Sequence, residues 1–107
     1  MQNKHDGRTY VSNAFSLQMI EPVPTTNIKI DRISETLFRG LIKNAYSIVG
    51  HPDMAKILNV KYNRESITLH TGDTLLVAQI TGGRLPPGTT ILPEDVDITY
   101  LHVTITE

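Results

Sequence analysis

Apolar residues recur at two periods along this chain, and the shorter period marks the predicted strands. Over residues 27–33, isoleucines alternate with polar residues in the pattern of a half-buried strand. Residues 8–15, 74–81 and 98–105 are rich in β-branched, aromatic and other apolar residues, so these segments are also predicted to be strands.

The longer period, with apolar residues three or four positions apart, predicts two helices. Ser34 is a suitable N-cap for the first, which is expected to run to about Gly50 with this apolar face: Leu37, Phe38, Leu41, Ile42 and Ala45. Pro52 suits the first position of the second helix, which places His51 at its N-cap. The apolar face of the second helix is formed by Met54, Ile57 and Leu58.

Glycine and proline divide the remaining segments. Residues 66–70 and 74–81 are predicted to form a hairpin, with Gly72 supplying the positive φ of the turn. The segment 82–88 holds three glycines and two prolines and is predicted to be a loop, and 92–96 a single helical turn. The segment 21–26 contains two prolines within three residues, which indicates a connector.

The order of these elements indicates an α+β fold with a mixed sheet of about five strands. Both helices are amphipathic and need a sheet to cover, so they are expected to pack on one face. The 107 residues are expected to form a single domain, with residues 1–7 as a flexible lead-in.

Composition narrows the class of protein. The chain is 39% hydrophobic and 20% charged and has no cysteine, which is typical of a globular protein without disulfide or thiolate chemistry. It has neither an apolar run of about 18 residues nor a signal peptide, so a cytoplasmic location and no membrane partner are expected. A formal charge of −1 argues against long DNA or RNA as a partner and still allows a ligand with a few phosphates.

No familiar catalytic motif is present, such as a Walker loop, a dinucleotide-binding glycine motif or a zinc-protease helix. The four histidines are far apart in the sequence, and without cysteine they would need a carboxylate to complete a zinc site. We therefore predict no metal and no cofactor. The histidines are His5, His51, His70 and His102.

Two side chains are candidates for phosphate chemistry. His51 lies at a predicted helix start, where free N–H groups favour an anion, and a bound phosphate would favour the imidazolium that can protonate a leaving group. The same position also suits a helix cap or a partly exposed surface histidine, with no role in catalysis. Arg84 lies in a glycine-rich loop and could stabilise a phosphorus transition state, or it can be a solvated loop residue.

Five short blocks, taken in order, resemble a known group of small viral and mobile-element proteins, the family that includes the type III anti-CRISPR ring nucleases. The similarity runs from about Tyr10 to the C-terminus. The blocks are Ser12-Asn13-Ala14-Phe15-Ser16-Leu17-Gln18-Met19, Gly50-His51, Asn63-Arg64, Gly72-Asp73 and Arg84-Leu85-Pro86-Pro87-Gly88.

This resemblance implies a homodimer that binds cyclic tetra-adenylate across its two-fold axis and suppresses type III CRISPR signalling in the host cytoplasm. It also implies metal-independent cleavage, in which a ribose 2′-hydroxyl attacks the neighbouring phosphorus and leaves 2′,3′-cyclic phosphate ends. His51 matches the catalytic general acid, and Arg84 matches the arginine that stabilises the transition state. The residues carried over as ligand-binding are Ser12, Asn13, Ser16, Gln18, Gly50 and Arg64.

One position departs from the family pattern. Strongly active members carry a glutamate before the glycine of the arginine-leucine block, and here that position is Pro87, which can neither accept a proton nor bond a 2′-hydroxyl. Glu94 is a possible substitute. The open alternatives are therefore a ring nuclease, a protein that sequesters a cyclic nucleotide without cleaving it, and a mobile-element protein that binds a host protein or DNA.

Overall fold

The computed structural model describes residues 7–20, 26–89 and 91–106; most of the predicted lead-in and of the proline-rich connector lies outside them. Strands and helices alternate irregularly along the chain. In order they are β1 (Thr9–Ser12), β2 (Asn27–Ile33), α1 (Glu35–Leu41), β3 (Tyr46–Ser47), α2 (Pro52–Leu58), β4 (Thr74–Gly82) and β5 (Asp97–Thr106). Two short 3₁₀ turns, Leu17–Met19 and Ile42–Asn44, complete the set.

The five strands form one mixed sheet in the order β2-β5-β4-β1-β3. Strand β5 runs antiparallel to both β2 and β4, whereas β1 runs parallel to β4 on one side and to β3 on the other. The predicted α+β class and the mixed five-stranded sheet are confirmed.

Both helices cover the same face of the sheet, as the amphipathic patterns predict. Phe38 of α1 and Met54 of α2 are almost completely buried against sheet residues that include Val11, Leu76 and Tyr100. Because side chains alternate along a strand, Tyr10 and Leu75 point to the opposite face. That face is covered by irregular segments around Ile20 and Leu69 rather than by helices.

The predicted first helix is too long. Helix α1 begins at the Ser34 cap as expected, where the side-chain oxygen accepts the Leu37 N–H at 3.1 Å, but it ends at Leu41. A 3₁₀ turn follows, and Tyr46–Ser47 then joins the sheet beside β1. Pairing with β1 therefore overrides the helical spacing of the later apolar residues.

The predicted hairpin is also wrong in one arm. The turn forms, with Gly72 at φ +97° and the Asp73 N–H bonded to the His70 carbonyl at 2.9 Å. Strand β4 follows it, but residues 66–70 are not a strand and make a single bridge, from Leu69 to Ile20. The reason is topological, because β1 and β5 already take both hydrogen-bonding sides of β4.

The other boundaries differ less. Strand β1 ends at Ser12, three residues before the predicted end, and β2 matches its prediction. The predicted helical turn near residue 94 is a single turn closed by a 3.2 Å bond from the Val96 N–H to the Pro93 carbonyl. No helix in the described ranges 7–20, 26–89 and 91–106 is long and apolar enough to cross a membrane.

Burial of Phe38 predicts a large cost for its truncation. Phe38→Ala is expected to lower the free energy of unfolding by about 3–5 kcal/mol, since the ring is fully buried between the sheet and both helices. Its neighbour Leu37 is 51% exposed, so Leu37→Ala should change the free energy of unfolding by no more than about 0.5 kcal/mol. Urea unfolding of both variants measures the difference, and equal losses would contradict the described core.

Candidate functional site

Three residues from separate blocks of the sequence meet beside the ends of β1 and β3. The Asn13 side-chain oxygen accepts the Gly50 N–H at 3.2 Å. The stem of Arg64 packs on Gly50 so closely that a Cβ there would be 3.0 Å from the Arg64 Cγ. A glycine at position 50 therefore lets the arginine lie against the backbone. These three residues border a cavity of about 370 Å³ whose other lining residues are Ile48, Glu65 and Ser66.

A second cavity, of about 390 Å³, adjoins the first and shares Ile48, Glu65 and Ser66 with it. Its remaining lining comes from Ile67, from the last residue of β1 and from the segment that follows β1. Those residues are Ser12, Ala14, Phe15, Ser16, Gln18 and Met19. We refer to the first cavity as the Arg64 cavity and to the second as the Phe15 cavity.

All six residues predicted to bind a ligand line one of these two cavities. Ser12, Ser16 and Gln18 line the Phe15 cavity, and the other three line the Arg64 cavity. Two of the hydroxyl groups also have local structural bonds, because Ser12 Oγ accepts the Ala14 N–H and Ser16 Oγ accepts the Gln18 N–H, each at 3.2 Å. The sequence blocks thus converge in space, while the binding roles of these residues stay predictions.

His51 follows Gly50 and caps α2, as its sequence position predicts. Its Nδ1 accepts the Met54 N–H at 3.3 Å, in the place usually taken by a serine or asparagine oxygen. An Nδ1 that accepts a hydrogen bond carries no proton, so the neutral ring has its proton on Nε2. Protonating the ring fully would therefore break the cap.

The first turn of α2 has fewer free donors than the sequence pattern suggests. Pro52 has no N–H, and the Met54 N–H is already held by His51. The Asp53 carboxylate also lies in this turn, where it accepts the Gly88 N–H at 3.0 Å. The turn is thus a poorer phosphate seat than a bare helix start.

Arg84 lies in the loop that this Asp53–Gly88 bond ties to the start of α2. Its side chain is exposed and has no hydrogen-bond or ion-pair partner within the described part of the chain. Neither Arg84 nor His51 lines the two cavities. The structure thus ties the loop that carries Arg84, through Gly88, to the helix capped by His51, and the Arg84 side chain is exposed.

Glu65 lines both cavities and was missed by sequence reasoning. Its Oε1 accepts the Tyr46 hydroxyl at 2.5 Å and the Asn63 side-chain amide at 3.0 Å. These two bonds, that from Tyr46 first, hold the pKa of the Glu65 carboxyl below its usual value, and the bond to Glu65 raises the pKa of Tyr46. The sequence offered only its position after Arg64 as a signal, since Tyr46 is 19 residues upstream.

Two other features do not involve the predicted site residues. A larger cavity, of about 640 Å³, is lined by residues of the segments 39–47 and 58–63 and by none of the predicted site residues. Within residues 7–20, 26–89 and 91–106, no three histidine, aspartate or glutamate side chains group closely enough to hold a metal ion.

Comparison with known proteins places the fold. The profile of a family described as STIV B116-like matches residues 9–103. Among solved structures, B116 of Sulfolobus turreted icosahedral virus superposes with a TM-score of 0.78 at 22% identity, over 92% of this chain and 99% of that one. At this identity the superposition establishes a shared fold. No curated protein sequence matches the chain significantly.

The cap formed by His51 predicts a difference between two substitutions. His51→Ala removes the acceptor for the Met54 N–H and should cost roughly 0.5–2 kcal/mol of folding free energy. His51→Asn supplies a side-chain oxygen in the same position and should lower the folding free energy by about a few tenths of a kcal/mol at most. Thermal and urea unfolding of both variants tests this, and equal stabilities would mean that the imidazole does not act as a cap.

The bond between Tyr46 and Glu65 predicts a measurable titration. In Tyr46→Phe the pKa of Glu65 should rise toward its usual value, because the first cause of its lowering is removed. A lowered pKa in the folded state gives stability at neutral pH that is lost as pH falls through that pKa, so the variant should lose part of this acid-dependent stability. Carboxyl-carbon NMR follows the titration. Tyr62→Phe, at another exposed tyrosine, should leave the Glu65 pKa unchanged.

Proposed function

We propose that two copies of this chain bind cyclic tetra-adenylate and cleave it without a metal. The chain belongs to the STIV B116-like family, as the match over residues 9–103 establishes, and the proposal starts from that membership. The family takes its description from a viral protein, and the proposed place of action is the cytoplasm of an infected host cell. Consuming this second messenger would suppress type III CRISPR signalling.

One observation carries the proposal: the six predicted ligand-binding residues, from three separate sequence blocks, line two adjoining cavities. Arg64 supplies a cation there, and His51 directly follows Gly50, a lining residue of the same cavity, in the sequence. A ring of four equivalent phosphates has the symmetry that a two-fold dimer needs, since each subunit would present the same residues to opposite parts of the ring.

The proposed reaction is an internal transfer at phosphorus. The ribose 2′-oxygen bonds to the adjacent phosphorus, its proton passes to water, and the bond from phosphorus to the 5′-oxygen breaks. The products are a 2′,3′-cyclic phosphate and a 5′-hydroxyl, which needs one proton. His51, as an imidazolium, would donate that proton from Nε2 and become neutral, and the Arg84 guanidinium would stabilise the charge that develops on the phosphoryl oxygens.

A second candidate function is sequestration of the ring without cleavage, and two observations favour it. The position of the family glutamate is Pro87, an exposed residue of the tight turn before Gly88 that has no acceptor for the 2′-hydroxyl proton. The Nδ1 of His51 is also engaged with the Met54 N–H, so its imidazolium forms only when the cap opens.

Incubation with cyclic tetra-adenylate in excess EDTA distinguishes the two functions. A ring nuclease should yield linear products with 2′,3′-cyclic phosphate ends, resolved by chromatography and mass spectrometry. His51→Asn, which keeps the cap, should bind the ring and cleave it ~10²–10⁴-fold more slowly. Arg84→Gln is expected to slow cleavage with little change in folding stability, because the side chain is exposed and unpartnered within the described residues.

The controls separate the possible outcomes. Leu37→Ala, an exposed position on α1, should leave cleavage unchanged. Recovery of the intact ring from heat-denatured complex would establish sequestration and overturn cleavage. If the ring raises the melting temperature of neither the wild type nor His51→Asn, both functions are wrong, since a ligand at 100 times its Kd should add about 2.7 kcal/mol.

A further inference from the structure

The Phe15 cavity is lined by both apolar and polar side chains. Its apolar lining is formed by Phe15, Met19, Ile48 and Ile67. Its polar lining is formed by Ser12, Ser16, Gln18, Glu65 and Ser66. A nucleobase has a matching mixture of surfaces, with apolar faces and a hydrogen-bonding edge. A cavity of about 390 Å³ also lies within the usual size range of small-molecule sites.

Among the described residues, Glu65 is the only acidic one that lines this cavity, and two hydrogen bonds hold its carboxylate. The Tyr46 hydroxyl and the Asn63 amide both bond to Oε1. No described residue bonds to Oε2, and the side chain is exposed. The Oε2 oxygen is therefore available to accept a hydrogen bond from a ligand.

A single open carboxylate oxygen selects for one hydrogen-bond donor. An ionised carboxylate can only accept, so it fits an exocyclic amino group and disfavours a carbonyl. Adenine presents such a group at N6. Guanine would present two donors side by side and needs both carboxylate oxygens, of which Oε1 here already has two partners.

The Arg64 cavity extends this arrangement to a phosphate. It shares Glu65 and Ser66 with the Phe15 cavity, and Arg64 is the one cation among the described residues that line it. One nucleotide unit can thus span the two cavities, with the base in one and the phosphate in the other.

We infer that Glu65 is a specificity-determining residue, which accepts the N6 amino group of an adenine bound in the Phe15 cavity. The inference rests on the proposed binding of a cyclic oligonucleotide and adds which group reads the base. It makes Glu65 a contact residue for the ligand and assigns it no role in bond cleavage.

The test compares two rings that differ only in this amino group. One is a ring of four 2′-deoxyadenylates and the other a ring of four 2′-deoxypurine nucleotides that lack the 6-amino group; neither has the nucleophile, so both stay intact. Isothermal titration calorimetry on the wild type should show the adenine ring binding roughly 10²- to 10⁴-fold more tightly, as for one hydrogen bond to a charged group from each of the two subunits.

Glu65→Ala should bind both rings equally, at the affinity of the wild type for the purine ring. Asp31→Ala is the matched control, since it removes one negative charge from β2, the strand at the opposite edge of the sheet from β3. It should keep the full preference for adenine. Melting temperatures of both variants check that they are folded.

The outcomes separate this inference from the function on which it depends. If the wild type binds both rings with equal affinity, or if Glu65→Ala keeps the preference for adenine, the assignment of Glu65 is wrong and ring binding stands. If the wild type binds neither the deoxy rings nor cyclic tetra-adenylate itself, the proposed function is wrong, and the inference is overturned with it.

Discussion

Strand β1 is four residues long, and it pairs in parallel with β3 on one side and with β4 on the other. Parallel neighbours end at the same edge of a sheet, so the segments that follow β1 and β3 must meet there. Asn13 follows β1 directly and Gly50 comes three residues after β3, which places the two within hydrogen-bond distance. Strand β4 continues five residues past the end of β1. The loop with Arg84 returns toward this edge because Gly88 bonds to Asp53 at the start of α2.

The two faces of the sheet are covered differently, and the candidate site depends on that difference. On one face, α1 and α2 present regular apolar ridges that close around Phe38 and Met54, both almost fully buried. On the other face, the segments 14–20 and 65–69 contain neither an α-helix nor a strand of the sheet, and they cover Leu75 and Val77 while leaving the two cavities between them. Polar groups of irregular segments are free to face such cavities, because no helix or sheet ladder uses all of them.

Local sequence patterns correctly predicted the elements that depend on residues close together in the chain. They failed where pairing with a strand distant in the sequence determines the structure. The N-cap position of His51 and the strand β2 could be predicted because capping and alternation are written in consecutive residues. Residues 66–70 alternate like a strand, yet β4 has no free side for them, which no local pattern can indicate. The same limit applies to the site. The family resemblance identified six of the residues that line the cavities. It did not identify Glu65, whose carboxylate is held by Tyr46, a residue placed beside the site by the pairing of β3 with β1.

Under the proposed function, the imidazole of His51 has two uses that exclude each other. As a cap it must be unprotonated at Nδ1 to accept the Met54 N–H, and as an acid it must be an imidazolium. The cap is worth about 1 kcal/mol, while a hydrogen bond between charged groups contributes roughly 1.5–3 kcal/mol. A bound phosphate would therefore outweigh the cap and draw the ring from the helix toward the ligand. Without a ligand the cap prevails, so the helix start would be intact in the free protein.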